Sequence, residues 1–311
     1  MIVDAYSHTG LPRFQTVNDY RGQMRRAGID KVVFSAFDSA PDLAGIHAAF
    51  TAEPKTFRGL GVPLGNDLAE IEAGARAQLE AGFSGLRLTE ADVLERPTLG
   101  ELAGAAGGII LAVGRLANPA YAMALRALLD QYPLLDVVGG HFAGGGTPAD
   151  LDRPQIAGLF DHPRFSVVFS RHGGYPPSIR DWAAALVGRV GWSRLMWGAE
   201  SPVLFWRNET LPQALAWADF LGPAPAERAA FFGGNAQRIY FDRPFRPAPL
   251  QLPFDPATRR RPIHANLWMN GLPVRQDLAG RLVADWLASG GEGSLGQHLE
   301  AVLDRTLPAL D

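Results

Sequence analysis

The sequence contains no cysteine among its 311 residues. This absence excludes disulfide bonds, thiolate nucleophiles and zinc sites built from cysteine. The formal net charge is only -3, so no electrostatic feature favours binding to nucleic acid or to an anionic membrane. No apolar run approaches the length of a membrane span, and no basic region followed by an apolar core opens the chain. We therefore expect a cytoplasmic protein that does not interact with membranes.

The apolar residues are arranged as an alternation of strand-like and helix-like segments. They make up 47% of the chain, which is enough for a sizeable core. Eight strand patterns are each followed by a helical pattern, and this number predicts an α/β fold of the (β/α)8 TIM-barrel type over residues 1–243. A doubly wound open sheet also alternates, but no GxGxxG or Walker lysine motif follows the first strand.

The first ten residues, MIVDAYSHTG, predict a buried strand that carries polar groups. Asp4, Tyr6 and His8 alternate with apolar residues, and side chains two positions apart in a strand share a face. We expect these three groups to point the same way, where they could hold a metal or transfer a proton. The alternative is an edge strand whose polar end is solvated.

Polar side chains recur where the predicted strands end. In a barrel of this type the functional groups lie at the carboxyl ends of the strands. Many of these positions hold arginine or histidine, so we expect an anionic substrate, although a surface ion pair could explain any one arginine. The positions are Tyr6, His8, Asp38, Arg87, Arg115, His141, Ser170, Arg171, His172 and Glu200.

Five segments in order, MIVDAYSH, GLRL, VVGGHFAG, RLMWGAESP and GGNAQRIY, resemble the amidohydrolase-related family over roughly residues 1–242. This branch of the amidohydrolase superfamily includes lactone hydrolases and nonoxidative decarboxylases of carboxylated aromatic or muconate-type substrates. The resemblance implies a barrel enzyme acting on a small molecule. It also implies that His141, on the sixth strand, is the catalytic base or hydrogen-bonds the substrate carbonyl.

The metal-binding pattern of that family is incomplete in this sequence. Family members hold a divalent metal with a His-x-His pair on the first strand, a histidine on the fifth and an aspartate on the eighth. Tyr6 stands in place of the first histidine, the fifth strand has no histidine, and Glu200 replaces the aspartate. Only His8 and Glu200 remain, so we do not expect zinc or manganese to bind firmly. We interpret Arg115 as a fixed charge in place of the metal, with His172 as an alternative ligand.

The leading hypothesis is an amidohydrolase-like hydrolase of a small carboxylate-bearing lactone or amide, without a firmly bound metal. The alternatives are a nonoxidative decarboxylase, a metal-dependent hydrolase of the ordinary kind, and a noncatalytic binding or assembly subunit. The catalytic candidates are Tyr6, His8, His141 and Glu200, and the substrate-binding candidates are Arg87, Arg115, Ser170 and His172.

The C-terminal part of the sequence differs in character from the rest. Residues 244–262 are rich in proline, which predicts an extended linker. A helical extension over 263–311 follows, with amphipathic patterns at Leu272–Ala288 and Leu295–Leu307. Two helices do not form a stable core alone. We expect them to pack on their own barrel, or on a second copy or partner subunit.

Overall fold

The computed structural model describes residues 1–11, 13–207, 209–256, 285–290 and 297–298. The fold is α/β, and its strands are all parallel. They form a three-stranded sheet of order β1-β2-β3 and a five-stranded sheet of order β4-β5-β6-β7-β8. The strands are β1 Val3–Ser7, β2 Lys31–Ser35, β3 Phe57–Leu60, β4 Gly85–Thr89, β5 Ile109–Val113, β6 Asp136–Gly139, β7 Phe165–Phe169 and β8 Leu195–Trp197.

The two sheets are adjacent along both of their outer edges. After β3, the amide of Gly61 donates to the carbonyl of Gly85 at 2.9 Å, which joins the third strand to the fourth. On the other side, the amide of Glu200 donates to the carbonyl of Tyr6 at 2.7 Å, just beyond the end of β8. The first and last strands therefore deliver their carboxyl ends to the same place.

Helical segments lie between the strands, as the sequence pattern predicts. The helices are α1 Val17–Ala27, α2 Leu43–Ala52, α3 Leu68–Glu80, α4 Glu90–Glu95, α5 Pro97–Ala105, α6 Pro119–Gln131, α7 Pro154–Phe160, α8 Ile179–Val190, α9 Val203–Trp206, α10 Leu211–Ala216 and α11 Pro225–Ala229. Short sequence signals are enough to define where such a helix begins and ends. Helix α1 shows why: Thr16 and Asp19 form a capping box at its start, and Gly28 ends it in the left-handed conformation.

The apolar residues form two layers on either side of the strands. One buried cluster contains Val3, Ala5 and Val138, with residues from most other strands. The larger cluster lies between the strands and the surrounding helices. Strands buried on both faces read as continuous apolar runs, as β5 does with IILAV. The polar residues found within these strands therefore need a separate explanation.

The first part of the proline-rich segment packs on the outer surface of the fold. Phe245 and Phe254 lie against the larger core cluster. The Nε2 atom of His47, on α2, is 2.8 Å from the carbonyl of Ala248. The predicted helices Leu272–Ala288 and Leu295–Leu307 lie outside the described residues, apart from residues 285–288 and 297–298. No helix in the described part of the chain is long and apolar enough to cross a membrane.

Candidate active site

Asp4 is the buried anchor of the first strand, and it does not point into the site. Its carboxylate accepts hydrogen bonds from the hydroxyls of Ser7 at 2.6 Å and Tyr20, and from the amide of Ala199 at 2.9 Å. The β1–β2 register shifts between Asp4 and Ser7. Because of this irregularity, Tyr6 belongs to the same buried cluster as Val3 and Ala5. The expectation that Asp4 shares a face with Tyr6 is wrong; its carboxylate instead joins β1 to α1 and to the segment after β8.

Tyr6 lies between two histidines at the carboxyl ends of the strands. Its ring is edge-on to His8, with centroids 5.0 Å apart, and to His141, at 4.7 Å. A Cβ atom at Gly198 would lie 2.9 Å from the Cβ of Tyr6, so β8 can approach β1 this closely only with glycine there. The Tyr6 hydroxyl is buried without a hydrogen-bond partner in the described structure. A donor left in this state is available to a ligand.

His8 is held as a neutral imidazole. Its Nδ1 is 2.8 Å from the backbone carbonyl of Ser35. A carbonyl only accepts, so Nδ1 carries the proton and Nε2 keeps its lone pair. Burial is the main cause that lowers the pKa of His8 to about 3. The bond to Ser35 and the charge of Glu200 oppose this shift, whereas the charges of Arg87 and Arg13 add to it. Its ring also stacks on Phe14 at 4.8 Å. His8 is thus a fixed proton acceptor.

His141 lies in a tight left-handed turn that follows β6. Its Nδ1 is 2.9 Å from the hydroxyl of Ser170, at the end of β7, and its Nε2 is 3.5 Å from Oε1 of Glu200. Since the carboxylate only accepts, the favoured tautomer has its proton on Nε2 and accepts from Ser170 on Nδ1. Burial lowers the pKa of His141 well below its ordinary value, more than Glu200 raises it. The hydroxyl of Tyr175 holds this turn by donating to the His141 carbonyl at 3.0 Å.

Glu200 is fully enclosed and bound by two arginines. Arg171 donates to Oε1 at 2.8 Å, and Arg207 donates to Oε2 at 2.8 Å. Burial alone would raise the pKa of Glu200, but His141, Arg171 and Arg207 outweigh it and hold that pKa well below its usual range. These partners therefore favour the ionised form of Glu200. It accepts hydrogen bonds readily and is a weak base.

Three of the site residues have backbone conformations that side chains rarely adopt. The described residues other than glycine with positive φ are His141, Phe142, Ala143, Arg171 and Glu200. Each of these conformations costs on the order of 1 kcal/mol or more, and such residues cluster at functional sites. They follow β6, β7 and β8, so the strain lies where three neighbouring strands present His141, Arg171 and Glu200. This pattern supports a functional role for the cluster.

Two arginines on the other side of the cluster lie against one aromatic ring. Arg87, on β4, is 7% exposed, and its guanidinium carbon is 4.6 Å from the centre of the Phe37 ring. Arg13 is 8% exposed, lies 4.2 Å from the same ring centre and donates to the Ser39 hydroxyl at 2.6 Å. Sequence reasoning selected Arg87 and missed Arg13 and Phe37. Their position close after the ends of β1 and β2 was the available signal.

Two predicted substrate-binding residues have other partners. The Arg115 side chain is 64% exposed and forms an ion pair with Asp150 at 3.7 Å. The structure does not bring it to the cluster, and the interpretation of Arg115 as an inward-facing replacement for a metal has no support. His172 is buried, with its Nδ1 3.5 Å from Glu209, and it packs on Phe142 and Trp217. It lies behind Glu200, joined to it through Arg207, which also approaches Glu209 at 3.8 Å.

The side chains that the structure assembles do not fit a divalent metal. Zinc in a catalytic site takes three protein ligands, and no group of three or more metal-binding side chains occurs in the described part of the chain. Both oxygens of Glu200 are already bound by guanidinium groups. A metal at those oxygens would be repelled by two fixed positive charges. Arg171 and Arg207, rather than Arg115, occupy the position beside the carboxylate.

Most of the chain matches a known protein family. A family model described as amidohydrolase matches residues 2–241, which is most of the chain. The chain belongs to the amidohydrolase family. The family resemblance predicted from the sequence is thereby confirmed. No curated protein matches this chain.

Solved structures of other amidohydrolase proteins share the fold. A 2-pyrone-4,6-dicarboxylic acid hydrolase-like protein from Pseudomonas putida has a TM-score of 0.57 and 22% identity, covering 76% of this chain and 96% of its own. An amidohydrolase from Burkholderia multivorans with bound zinc has a TM-score of 0.60 and 15% identity, covering 77% and 98%. The 5-carboxyvanillate decarboxylase LigW from Sphingomonas paucimobilis has a TM-score of 0.56 and 14% identity, covering 77% and 98%. At these identities the likeness shows the fold alone.

Proposed function

We propose that this protein is a hydrolase of small carboxylate-bearing lactones that works without a firmly bound metal, on a closed (β/α)8 barrel formed by the two sheets. The observation that carries the proposal is the buried, unpartnered hydroxyl of Tyr6, placed between two neutral histidines. Burying such a hydroxyl is unfavourable unless it gains a partner. A carbonyl oxygen that becomes an oxyanion during attack would supply that partner.

Each residue then has a role that its contacts support. His8, with a lone pair on Nε2, takes a proton from water as the water oxygen attacks the lactone carbonyl carbon. The hydroxyl of Tyr6 donates to the oxygen that gains negative charge, and His141, whose Nε2 faces Glu200 at 3.5 Å, holds the Tyr6 ring by its edge-on contact. When the ring C–O bond breaks, the proton on His8 passes to the leaving alkoxide, so one water is consumed and a hydroxy acid is released. Glu200 orients His141 and carries the charge that stabilises Arg171 and Arg207.

The side chains in the described part of the chain do not form a fitting metal site, which supports a metal-independent reaction in which a neutral donor polarises the carbonyl. Hydrogen-bond donors fixed in a buried site stabilise developing charge without reorganisation, and each is worth about 100- to 1,000-fold in rate. The proton acceptor contributes about 100- to 10,000-fold. The ordinary metal-dependent mechanism of such enzymes instead draws on a metal-bound water, for which the residues that the structure describes supply too few ligands.

The test is a turnover screen with purified protein that has been dialysed against a chelator. The panel contains carboxylate-bearing lactones and aromatic carboxylates, with acid release followed by a pH indicator and carbon dioxide by a coupled assay. We expect lactone opening that survives chelation and falls by about 100-fold or more in His8→Gln, with a smaller fall in His141→Gln, which loses the ring contact with Tyr6. His47→Gln, on the outer surface, is the matched control and keeps wild-type turnover.

Other outcomes would point to the alternative functions. One equivalent of zinc or manganese, together with loss of activity on chelation, would establish a metal-dependent hydrolase. Release of carbon dioxide from an aromatic carboxylate without acid release would establish a nonoxidative decarboxylase. If no compound is turned over, the protein is better explained as a noncatalytic binding or assembly subunit.

A further inference from the structure

Glu209 is a second buried carboxylate beside Arg207, and the proposed reaction gives it no role. It is 8% exposed. Its Oε2 accepts a hydrogen bond from the amide of Gly173 at 3.2 Å and lies 3.8 Å from Nη2 of Arg207. Burying a carboxylate is unfavourable unless hydrogen bonds and an opposite charge compensate it. Glu209 therefore joins the turn that follows β7 to the loop that follows β8.

The position of Arg207 depends on two carboxylates. Its Nη2 lies 2.8 Å from Glu200 and 3.8 Å from Glu209, whereas its Nε is buried with no hydrogen-bond partner in the described structure. Because a guanidinium is planar and rigid, the donors that are paired determine where the whole group lies. Arg171 and Arg207 bring two positive charges to Glu200, and Glu209 supplies the second negative charge. The charges of this group of four side chains are thereby balanced.

The turn after β7 brings both arginines to the same place. A Cβ atom at Gly174 would lie 2.5 Å from Cγ of Arg171 and 3.2 Å from Cδ of Arg207, so both side chains pass directly over this glycine. Arg171 begins the turn in the left-handed conformation, with a φ of 64°. The Gly173 amide, within the same turn, donates to Glu209. Glu209 thus contacts Arg207 directly and the backbone that carries Arg171.

We propose that Glu209 is a positioning residue that holds Arg207, and the turn carrying Arg171, against Glu200. Glu200 then keeps its place 3.5 Å from Nε2 of His141, the ring that packs on Tyr6. Glu209 itself touches none of the groups assigned to the reaction, so it acts through Arg207 and through the backbone of the turn. The kinetic part of this proposal rests on the proposed function, whereas its structural part does not.

The first experiment compares two variants of Glu209 in the full-length protein by nuclear magnetic resonance. Glu209→Gln removes the charge that faces Arg207 but keeps an oxygen that can accept from the Gly173 amide, whereas Glu209→Ala removes both. The Nε–H signal of Arg207 should move in both variants. The amide proton of Gly173 should move to lower frequency most strongly in Glu209→Ala, because its hydrogen bond is lost. Glu53→Gln, which breaks the outer ion pair with Arg21, is the control and should leave both signals in place.

The second experiment is a kinetic double-mutant cycle on a lactone that the wild type opens. Glu209→Gln should lower kcat by about 3- to 10-fold with KM unchanged, the usual effect of losing one polar interaction. In the Arg207→Met background the same substitution should lower kcat by a clearly smaller factor, because Arg207 is the group through which Glu209 acts. A merely structural role would lower kcat by the same factor in both backgrounds. Glu53→Gln should keep the wild-type kcat.

The outcomes separate this proposal from the proposed function. An Arg207 signal that stays in place in Glu209→Gln, or equal falls of kcat in the two backgrounds, would overturn the role of Glu209. Glu209→Gln preserves the shape of the side chain, so it carries the test even if Glu209→Ala does not fold. Moved Arg207 and Gly173 signals in a protein that opens no lactone would support the positioning by Glu209 and contradict the hydrolase proposal alone.

Discussion

Arg207 and Glu200 form a buried ion pair, with Nη2 of Arg207 2.8 Å from Oε2 of Glu200. The Arg207 side chain is 14% exposed and that of Glu200 is 2% exposed. Arg171 completes the arrangement on Oε1, but its side chain is 41% exposed. The two cations therefore differ: Arg207 is shielded from water, whereas solvent screens much of the charge on Arg171.

Replacing Arg207 should be more damaging than replacing Arg171. Arg207→Met keeps the length of the side chain but leaves one oxygen of the Glu200 carboxylate without its charged partner. Removing one member of a buried pair costs about 3 kcal/mol or more of unfolding free energy, and Arg171→Met should cost less. Urea unfolding measures the loss of unfolding free energy in each variant.

The control for these variants is a surface ion pair. Arg189 and Asp161 lie 2.5 Å apart on the outside of the fold, with side chains 32% and 53% exposed. Arg189→Met should change the unfolding free energy by no more than about 1 kcal/mol. Equal small effects of Arg207→Met and Arg189→Met would contradict the view that Arg207 stabilises a buried carboxylate.

Stability should decrease in mild acid because His8 and His141 are buried as neutral imidazoles. The folded pKa of His8 is about 3, against an ordinary value of 6.5. Between these values the unfolded chain binds one more proton than the folded chain, so the free energy of unfolding falls as the pH falls below about 6.5. His141 acts in the same direction. Glu200 has a lowered pKa in the folded protein, so it causes a further loss of unfolding free energy once the pH falls below its pKa in the unfolded chain. Asp4 has a raised pKa and therefore has the opposite effect on the unfolding free energy.

Unfolding experiments at several pH values test this expectation. His8 should contribute about 1.4 kcal/mol per pH unit between about pH 4 and 6, and His141 should add to this change in the same direction. His8→Gln should reduce the slope of unfolding free energy against pH by that amount, and His47→Gln should leave this slope unchanged. A slope that is identical in His8→Gln and the wild type would show that His8 is protonated in the folded protein.

Ser170 should act as a positioning residue through His141. Its hydroxyl, 2.9 Å from Nδ1 of His141, fixes the ring and favours the proton on Nε2. Ser170→Ala should lower kcat on an identified substrate by about 3- to 10-fold, the usual worth of one hydrogen bond, with KM unchanged. Ser166→Ala, on the same strand, is the control. A wild-type kcat in Ser170→Ala would show that the turn after β6 holds His141 without this bond.

The regular part of the fold could be predicted because apolar periodicity records which faces are buried. Runs such as IILAV in β5 and the capped pattern of α1 determine their elements locally. The first strand was harder, since the irregularity between Asp4 and Ser7 breaks the alternation and turns Asp4 away from Tyr6. The periodic pattern of apolar residues does not indicate such an irregularity.

The arginines of the site were only partly predictable for a related reason. Arg115 follows a strand, but it comes after Gly114, whose φ of 144° bends the chain, and Asp150 pairs with its guanidinium. Arg13 and Arg207 belong to loops after β1 and β8, where the path of the chain depends on tertiary contacts. Strand ends could be located from the sequence, but loop directions could not.

Tyr6→Phe separates a catalytic hydroxyl from a structural one. The variant keeps the ring that packs edge-on against His8 and His141 and removes only Oη, which has no described hydrogen-bond partner. Because a buried hydroxyl without a partner is unfavourable, the free energy of unfolding should stay the same or rise by about 1 kcal/mol. If Tyr6 donates to the oxyanion, kcat should nevertheless fall by about 100-fold or more. Urea unfolding and steady-state kinetics on the same preparation give both values, and a destabilised Tyr6→Phe protein with wild-type kcat would assign the hydroxyl to the fold rather than to the reaction.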